Sequence, residues 1–249
     1  SRPIPRNWFL LIASYVFYGW WDWRFLFLVF ASSAVDYMVA LWLDKETDQP
    51  RRKAILLCSL VCNLGMLFFF KYFNFFADSL QTACAGLGIH LGEITLNVIL
   101  PVGISFYTFQ TLSYTIDIYR KRMPATRDFV AFLAYVSFFP QLVAGPIERA
   151  EKLLPQFFRK AIPFDYYFAM DGLRMVLWGF FLKAVLADNL APYVESIFTP
   201  GSEYGGSTRA LGLVYFAFQI FGDFAGYSLI ARGVARLFGF DLMVNFRAP

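Results

Sequence analysis

Apolar residues fall into seven long runs separated by short polar stretches, and this alternation organises the whole chain. The runs extend from Trp8 to Trp21, Phe25 to Leu43, Ala54 to Ala77, Ile94 to Ile118, Phe129 to Ile147, Tyr166 to Ala187 and Ala210 to Ile230. A membrane-spanning helix needs ~20 mostly apolar residues. Most of the runs meet that length, and the first does so only if Ile4 joins it. Strands with lipid-exposed edges would leave backbone groups unpaired in hydrocarbon, so the spanning elements are expected to be helices. Two runs carry helix breakers. Pro101 and Gly103 interrupt the fourth and are expected to kink it, while Pro140 and Pro146 lie within the fifth.

The polar stretches give an orientation, because basic residues collect on the cytoplasmic side of a membrane. Arg2 and Arg6 precede the first run, Lys45, Arg51, Arg52 and Lys53 follow the second, and Arg120, Lys121, Arg122 and Arg127 follow the fourth. The alternate stretches are poor in basic residues, with one between Asp22 and Arg24 and none between Asp78 and Glu93. The alternation fails after residue 127. Arg149, Lys152, Arg159 and Lys160 follow the fifth run, an acidic stretch runs from Asp188 to Tyr204, and Arg232 and Arg236 restore a basic end. The conflict disappears if 129–147 dips into the membrane and returns on the same side. The expectation is an all-α polytopic membrane protein, a single membrane domain over 1–249 with about six crossings and one re-entrant segment. Non-helical backbone at membrane depth must face protein or a water-filled cavity, which makes that segment a candidate tunnel wall.

Composition agrees with this reading. Of the 249 residues 58% are hydrophobic and 20% aromatic, with 31 Phe, and the mean hydropathy is +0.51. Charged residues make up 16%, against ~25% in soluble domains. The net charge of +4 comes from short loops, with no basic block suited to nucleic acid. Cys58 and Cys62 stand four apart on one apolar helix and Cys84 is distant. A metal site would need more ligands, so these read as packing thiols. No Walker loop, Rossmann glycine pattern or metal-ligand spacing occurs. The chain opens Ser1-Arg2-Pro3 without a Met or a signal-peptide pattern, and both ends look cut, so an internal piece of a longer polypeptide is expected.

Candidate chemistry concentrates near the end of the seventh run. Asp223 there is costly in a membrane and is expected to face the bundle interior. Two readings stay open: an orienting acid or cavity-lining group beside a catalytic base, or a structural pair with Arg232 or Arg236. Gly222 and Gly226 flank it at a spacing that allows close helix approach. Tyr227 offers a hydrogen bond or an interfacial anchor. In the fifth run, Gln141 is the one amide of Pro140–Ile147, read as a cavity lining over a plain loop turn. Asp117 with Arg120 and Asp171 with Arg174 are expected to pair, or Asp117 and Arg120 to meet headgroups, and Lys183 to snorkel. His90, the only histidine, lies in a glycine-rich loop without Ser, Cys or Asp neighbours and reads as a solvated residue.

Four blocks carry a family resemblance. They are Tyr18-Gly19-Trp20-Trp21; Leu100 to Gln110 continuing through Ser113 to Arg120; Phe138 to Arg149; and Asp223 to Ser228, ending in Asn245 to Pro249. Their content and order resemble the membrane-bound O-acyltransferases, on the alginate O-acetyltransferase branch. The resemblance implies a ring of helices around a central tunnel, with Gln141, Gly145, Pro146, Gln219, Asp223 and Tyr227 lining or shaping it. It implies transfer of an acyl group, usually acetyl, from a cytosolic thioester such as acetyl-CoA or an acyl carrier, a co-substrate and not a bound cofactor. The acceptor is a hydroxyl of an extracytoplasmic polysaccharide such as alginate. The implied setting is the bacterial inner membrane, crossed several times, with extracytoplasmic acetyltransferase partner proteins and no nucleic acid or metal. Ala225 and Leu229 depart from the family pattern, which has Ser and Asp there. The family's essential histidine is expected beyond Pro249 and another membrane helix before Ser1, so no catalytic base is assigned in this chain. D-alanyl or other acyl transfer, a transporter or flippase with broken helices, and an inactive structural homologue are the alternatives.

Overall fold

A computed structural model describes residues 4–86, 92, 96, 99–142, 145–146, 148–160, 165–201 and 203–245. Every regular element among them is helical. The helices are α1 (Ile4–Asp22), α2 (Arg24–Lys45), α3 (Gln49–Leu67), α4 (Phe73–Gly86), α5 (Ile104–Tyr119), α6 (Phe129–Val136), α7 (Phe139–Leu142), α8 (Ala150–Leu153), α9 (Tyr166–Phe180), α10 (Asp188–Phe198) and α11 (Gly206–Leu237). Wider π-helical turns join α3 to α4 over Phe68–Tyr72 and α9 to α10 over Phe181–Ala187. Among the described residues three helical stretches, Arg24–Lys45, Gln49–Gly86 and Gly206–Leu237, are long and apolar enough to cross a membrane by length and composition. Their outer faces carry Trp42, Phe69 and Phe218 exposed, a surface that suits lipid and not water. The molecule is a polytopic, all-α membrane protein.

The helices form two compact units, Ile4–Phe139 with Arg149–Phe157, and Pro140–Glu148 with Phe158–Pro249. In the first unit, α1 includes Ile4, the residue that lengthens the first run, and its 19 residues rise about 28 Å. The proline step of the fourth run does not kink a helix. Instead α5 starts after it, at Ile104, and Gly103 takes a left-handed φ of 73°. A residue without Cβ enters that conformation freely, so the break is a helix start. The Tyr18 hydroxyl fixes the step by donating to the Val102 carbonyl at 2.7 Å.

The α3 and α5 helices are pinned at both ends. The buried Arg52 guanidinium donates to the carbonyls of Leu43 and of Glu46 (2.9 Å), and to those of Ile118 (3.1 Å) and Tyr119 (2.8 Å). One cation thus satisfies the C-terminal carbonyls of both α2 and α5, where helix dipoles favour positive charge. At the other end Lys71 donates to Ser105 at 3.2 Å. Arg52 is therefore more than a loop charge that sets orientation. Asp117 pairs with Arg122 at 3.3 Å, not with Arg120. The chain leaves the helix at Arg120 and folds back, the Arg122 amide donating to the Asp117 carbonyl.

The fifth run is broken as its prolines imply. Asp128 caps α6 by accepting from the Ala131 amide at 2.9 Å, and α6 ends after eight residues. Eight residues rise only about 12 Å, short of a crossing. The chain turns at Ser137 and Phe138, and the Phe139 amide donates to Ser14 on α1 at 3.1 Å.

Candidate functional site

The second unit is built on the packing of α9 and its π turn against α11, and glycines set that approach. A Cβ on Gly226 would stand 2.8 Å from the Gly179 carbonyl oxygen, and one on Gly179 would stand 2.6 Å from the Gly226 carbonyl oxygen. Farther along, a Cβ on Gly233 would lie 2.4 Å from the Gly172 carbonyl oxygen. Gly222 meets the Leu182 carbonyl oxygen at 3.0 Å in the same sense. The backbones touch, as the spacing of Gly222 and Gly226 foretells.

That contact places one lysine among acids. Lys183 sits in the π turn, a type of helix defect frequent at functional sites. Its ammonium lies 2.6 Å from Asp223 and 2.6 Å from Asp188, and 5.7 Å from the centre of the Tyr227 ring. With all three groups ionised the trio carries one net negative charge. Gln219, Asp223 and Tyr227 succeed one another at four-residue steps, one stripe along α11. The Gln219 Oε1 atom is buried and has no hydrogen-bond partner among the described residues.

Asp223 pairs with neither of the arginines expected for it. Arg232 and Arg236 lie nine and thirteen positions along the same helix, at least about 13 Å away. Arg236 instead bonds Asp171 and approaches Asp241 at 3.4 Å. The expected Asp171 and Arg174 pair is thereby replaced. Lys183 is the counter-charge of both Asp223 and Asp188.

The fifth-run residues form a tight local turn. The Gly145 amide donates to the Gln141 carbonyl at 3.1 Å. A Cβ at Gly145 would fall 2.4 Å from the Gln141 Cα, so only glycine fits. Gln141 and Pro146 are buried. Glu148, buried to 1% exposure, accepts from the Met243 amide. Adjacent residues reach α11: the Leu242 carbonyl accepts from Arg232 at 3.4 Å, and the Asn245 amide group donates to Ser228 at 3.3 Å. Through the 242–245 segment, the block around Gly145-Pro146 is stitched to the helix that carries Asp223 and Tyr227.

Sequence reasoning missed the roles of Lys183 and Glu148, although a lysine inside an apolar run and an acid beside Gly145-Pro146 were both visible. It also passed over Asp36, an acid midway along the second run. Cys58 and Cys62 face outward from α3 and Cys84 is half-buried, all three as free thiols. His90 and Asn245's successors 246–249 lie outside the described residues.

An apolar helical ensemble with a glycine-apposed helix pair and an ion-paired acid on one of its helices is that of a membrane-embedded protein. No family model matches the chain. Over 247 residues, 98% of its length, it is 38% identical to the probable alginate O-acetylase AlgI of Azotobacter vinelandii, covering 48% of that protein. It is 30% identical over 270 residues to the peptidoglycan O-acetyltransferase of Helicobacter pylori, covering 98% of this chain and 50% of that one. It is 28% identical over 236 residues to the teichoic acid D-alanyltransferase of Lacticaseibacillus rhamnosus, covering 85% of this chain and 58% of that one. Over nearly its whole length the chain is similar to the alginate O-acetylases, in line with the resemblance to the membrane-bound O-acyltransferases that its sequence blocks carry. It spans about half the length of the curated relatives it matches.

Proposed function

We propose that this chain is part of a multi-pass O-acyltransferase of the bacterial inner membrane. It passes an acetyl group from a cytosolic thioester, acetyl-CoA or an acyl carrier, to hydroxyls of an extracytoplasmic envelope polysaccharide such as alginate. The observation that carries this reading is the coincidence of the Asp223–Ser228 block with an ion-paired centre on touching helices. In the reaction a general base takes the proton of the acceptor hydroxyl, the oxygen attacks the thioester carbonyl, the C–S bond breaks, and the departing thiolate takes up the proton. The base is not assigned among these residues. Their part is to shape a polar path through an apolar body. Lys183 holds Asp223 in place, and Asp223 and Tyr227 present an acceptor and a donor at adjacent turns. Gln141, Gly145, Pro146 and Gln219 form further lining, and partner proteins on the outer side bring the polymer.

Acetylation by the full-length protein tests this. Asp223→Asn and Gln141→Ala should each lower transfer, and full acetylation by both variants would sink the lining assignment. D-alanyl transfer is the second reading, supported by the likeness to the Lacticaseibacillus relative. Supplying acetyl and D-alanyl thioesters side by side separates the two.

A further inference from the structure

Away from this centre, the first unit holds an acid of a different kind. Asp36 is the thirteenth of the 22 residues of α2 and has no exposed surface. Its carboxylate accepts from Ser59 of α3 at 2.6 Å and from the Asn63 amide group at 2.9 Å to each oxygen. Thr115 of α5 lies at 3.5 Å, and Ser32 of α2 donates to the Asn63 oxygen at 3.1 Å. All of these neighbours are neutral, and no ammonium or guanidinium of the described residues lies within ion-pair distance of Asp36. An isolated ionised carboxylate is very costly in hydrocarbon. Asp223 has Lys183 to counter it, whereas Asp36 has only hydroxyls and an amide.

We propose that Asp36, Ser32, Ser59, Asn63 and Thr115 form a binding site for a monovalent metal cation, sodium in the first instance, that clasps α2, α3 and α5. The chemistry of the donor set selects the ion. All five side chains offer oxygen, the preference of hard cations. Asn63 supplies its oxygen once its amide turns over, giving up the bonds its nitrogen donates to Asp36 and, at 3.1 Å, to the Ser59 carbonyl, a loss that the charge of the ion offsets. One carboxylate among neutral oxygens balances a single positive charge, and among the described residues Asp36 is not part of a cluster of three or more metal-ligating His, Cys, Asp or Glu. Each of the three helices contributes at least one ligand, so the ion would stabilise the folded bundle by mass action.

The test is thermal unfolding of the purified full-length protein, exchanged into choline chloride and titrated with NaCl, KCl or more choline chloride at constant ionic strength. Sodium should raise the midpoint saturably, by roughly 3–5 °C at a hundredfold excess over its dissociation constant in a full-length protein about twice this chain's size, and choline should not. Asp36→Asn should remove the response. Ser32→Ala, which keeps the charge and loses one ligand, should move the sodium titration to several-fold higher concentration, and it decides the matter if Asp36→Asn does not fold. Asn63→Asp adds a second carboxylate and should transfer the response from sodium to calcium. A wild-type protein indifferent to sodium, with stability set by pH alone, would mean that Asp36 holds a proton, and the proposal would fall. A sodium response unchanged in Asp36→Asn and Ser32→Ala would overturn it equally. Acylation is not the readout, so loss of this site and loss of the acyltransferase reading are separate results.

Discussion

Replacing Gly226 by Ala isolates the contact on which the candidate centre is built. The new methyl carbon would stand 2.8 Å from the Gly179 carbonyl oxygen, 3.1 Å from the Lys183 amide nitrogen and 3.3 Å from the Lys183 Cβ. The two nearest atoms are backbone, which cannot rotate aside, so α9 and α11 must part or slide by several tenths of an ångström. Overpacking of this kind costs about 1–3 kcal/mol. The same substitution gains about 1 kcal/mol of helix propensity, because alanine replaces glycine inside a helix.

Gly65→Ala on α3 supplies the reference, since a Cβ there has nothing within 4 Å. It collects the propensity gain alone, so the difference between the two variants is the overpacking itself. Thermal unfolding of both in detergent measures it. Each kcal/mol moves the midpoint by about 2–4 °C in a protein of this size or somewhat smaller, so Gly226→Ala should unfold roughly 2–12 °C below Gly65→Ala. It should also lower acetylation, because the displaced backbone carries Lys183. If Gly226→Ala unfolds at or above Gly65→Ala, the helices do not touch at these glycines, and the geometry drawn from them is wrong.

Arg52→Ala removes the guanidinium from four carbonyls, of which Ile118 keeps the Lys121 amide, and should destabilise by roughly 3 kcal/mol, read by denaturation; Arg52→Lys should rescue little, since a point ammonium cannot replace the guanidinium fork. Asp223→Asn should reduce acetylation by about 10²-fold or more if the acid assists proton transfer, with folding retained. Lys183→Met and Asp223→Asn should couple in a double-mutant cycle by no more than about 1 kcal/mol of stability, because both side chains are partly exposed; near-zero activity in each single variant would show that the pair serves chemistry more than folding. Glu148→Ala should destabilise by about 1–3 kcal/mol through the orphaned Met243 amide, while Glu148→Gln, which keeps an acceptor, should cost less.

The bilayer explains what could be read beforehand. Hydrocarbon forces every spanning backbone to satisfy itself, so runs of apolar residues translate into helices with little freedom of interpretation. Hence α1 took up Ile4, and the prolines of the fifth run marked a true break. Local signals were ambiguous where a residue permits two outcomes. Pro101 and Gly103 disturb a helix equally well by bending it or by standing before its start, and only the Tyr18 hydroxyl on the Val102 carbonyl, 84 positions away, shows which. Ionic partners were the least legible. Spacing on one helix suggested Arg232 or Arg236 for Asp223 and Arg174 for Asp171, yet both acids found cations on another helix, 40 and 65 positions away. Glycine spacing had announced that α11 would be approached closely, but not by which helix, and the approach decides the pairs.

The two acids within the apolar runs sharpen the point. On the sequence Asp36 and Asp223 give the same signal, a carboxylate whose burial in lipid demands compensation. Asp223 lies beside a π turn that brings a lysine to it, and its side chain stays partly open, which suits the tunnel role proposed for it. Asp36 is sealed among Ser59, Asn63 and Thr115, with its compensation divided over hydroxyls and an amide of α3 and α5. A sealed carboxylate cannot serve an acceptor polymer, and an open ion pair cannot clasp three helices. The difference between working centre and clasp therefore lies in the counter-charge and its access, which the fold sets and residue type does not.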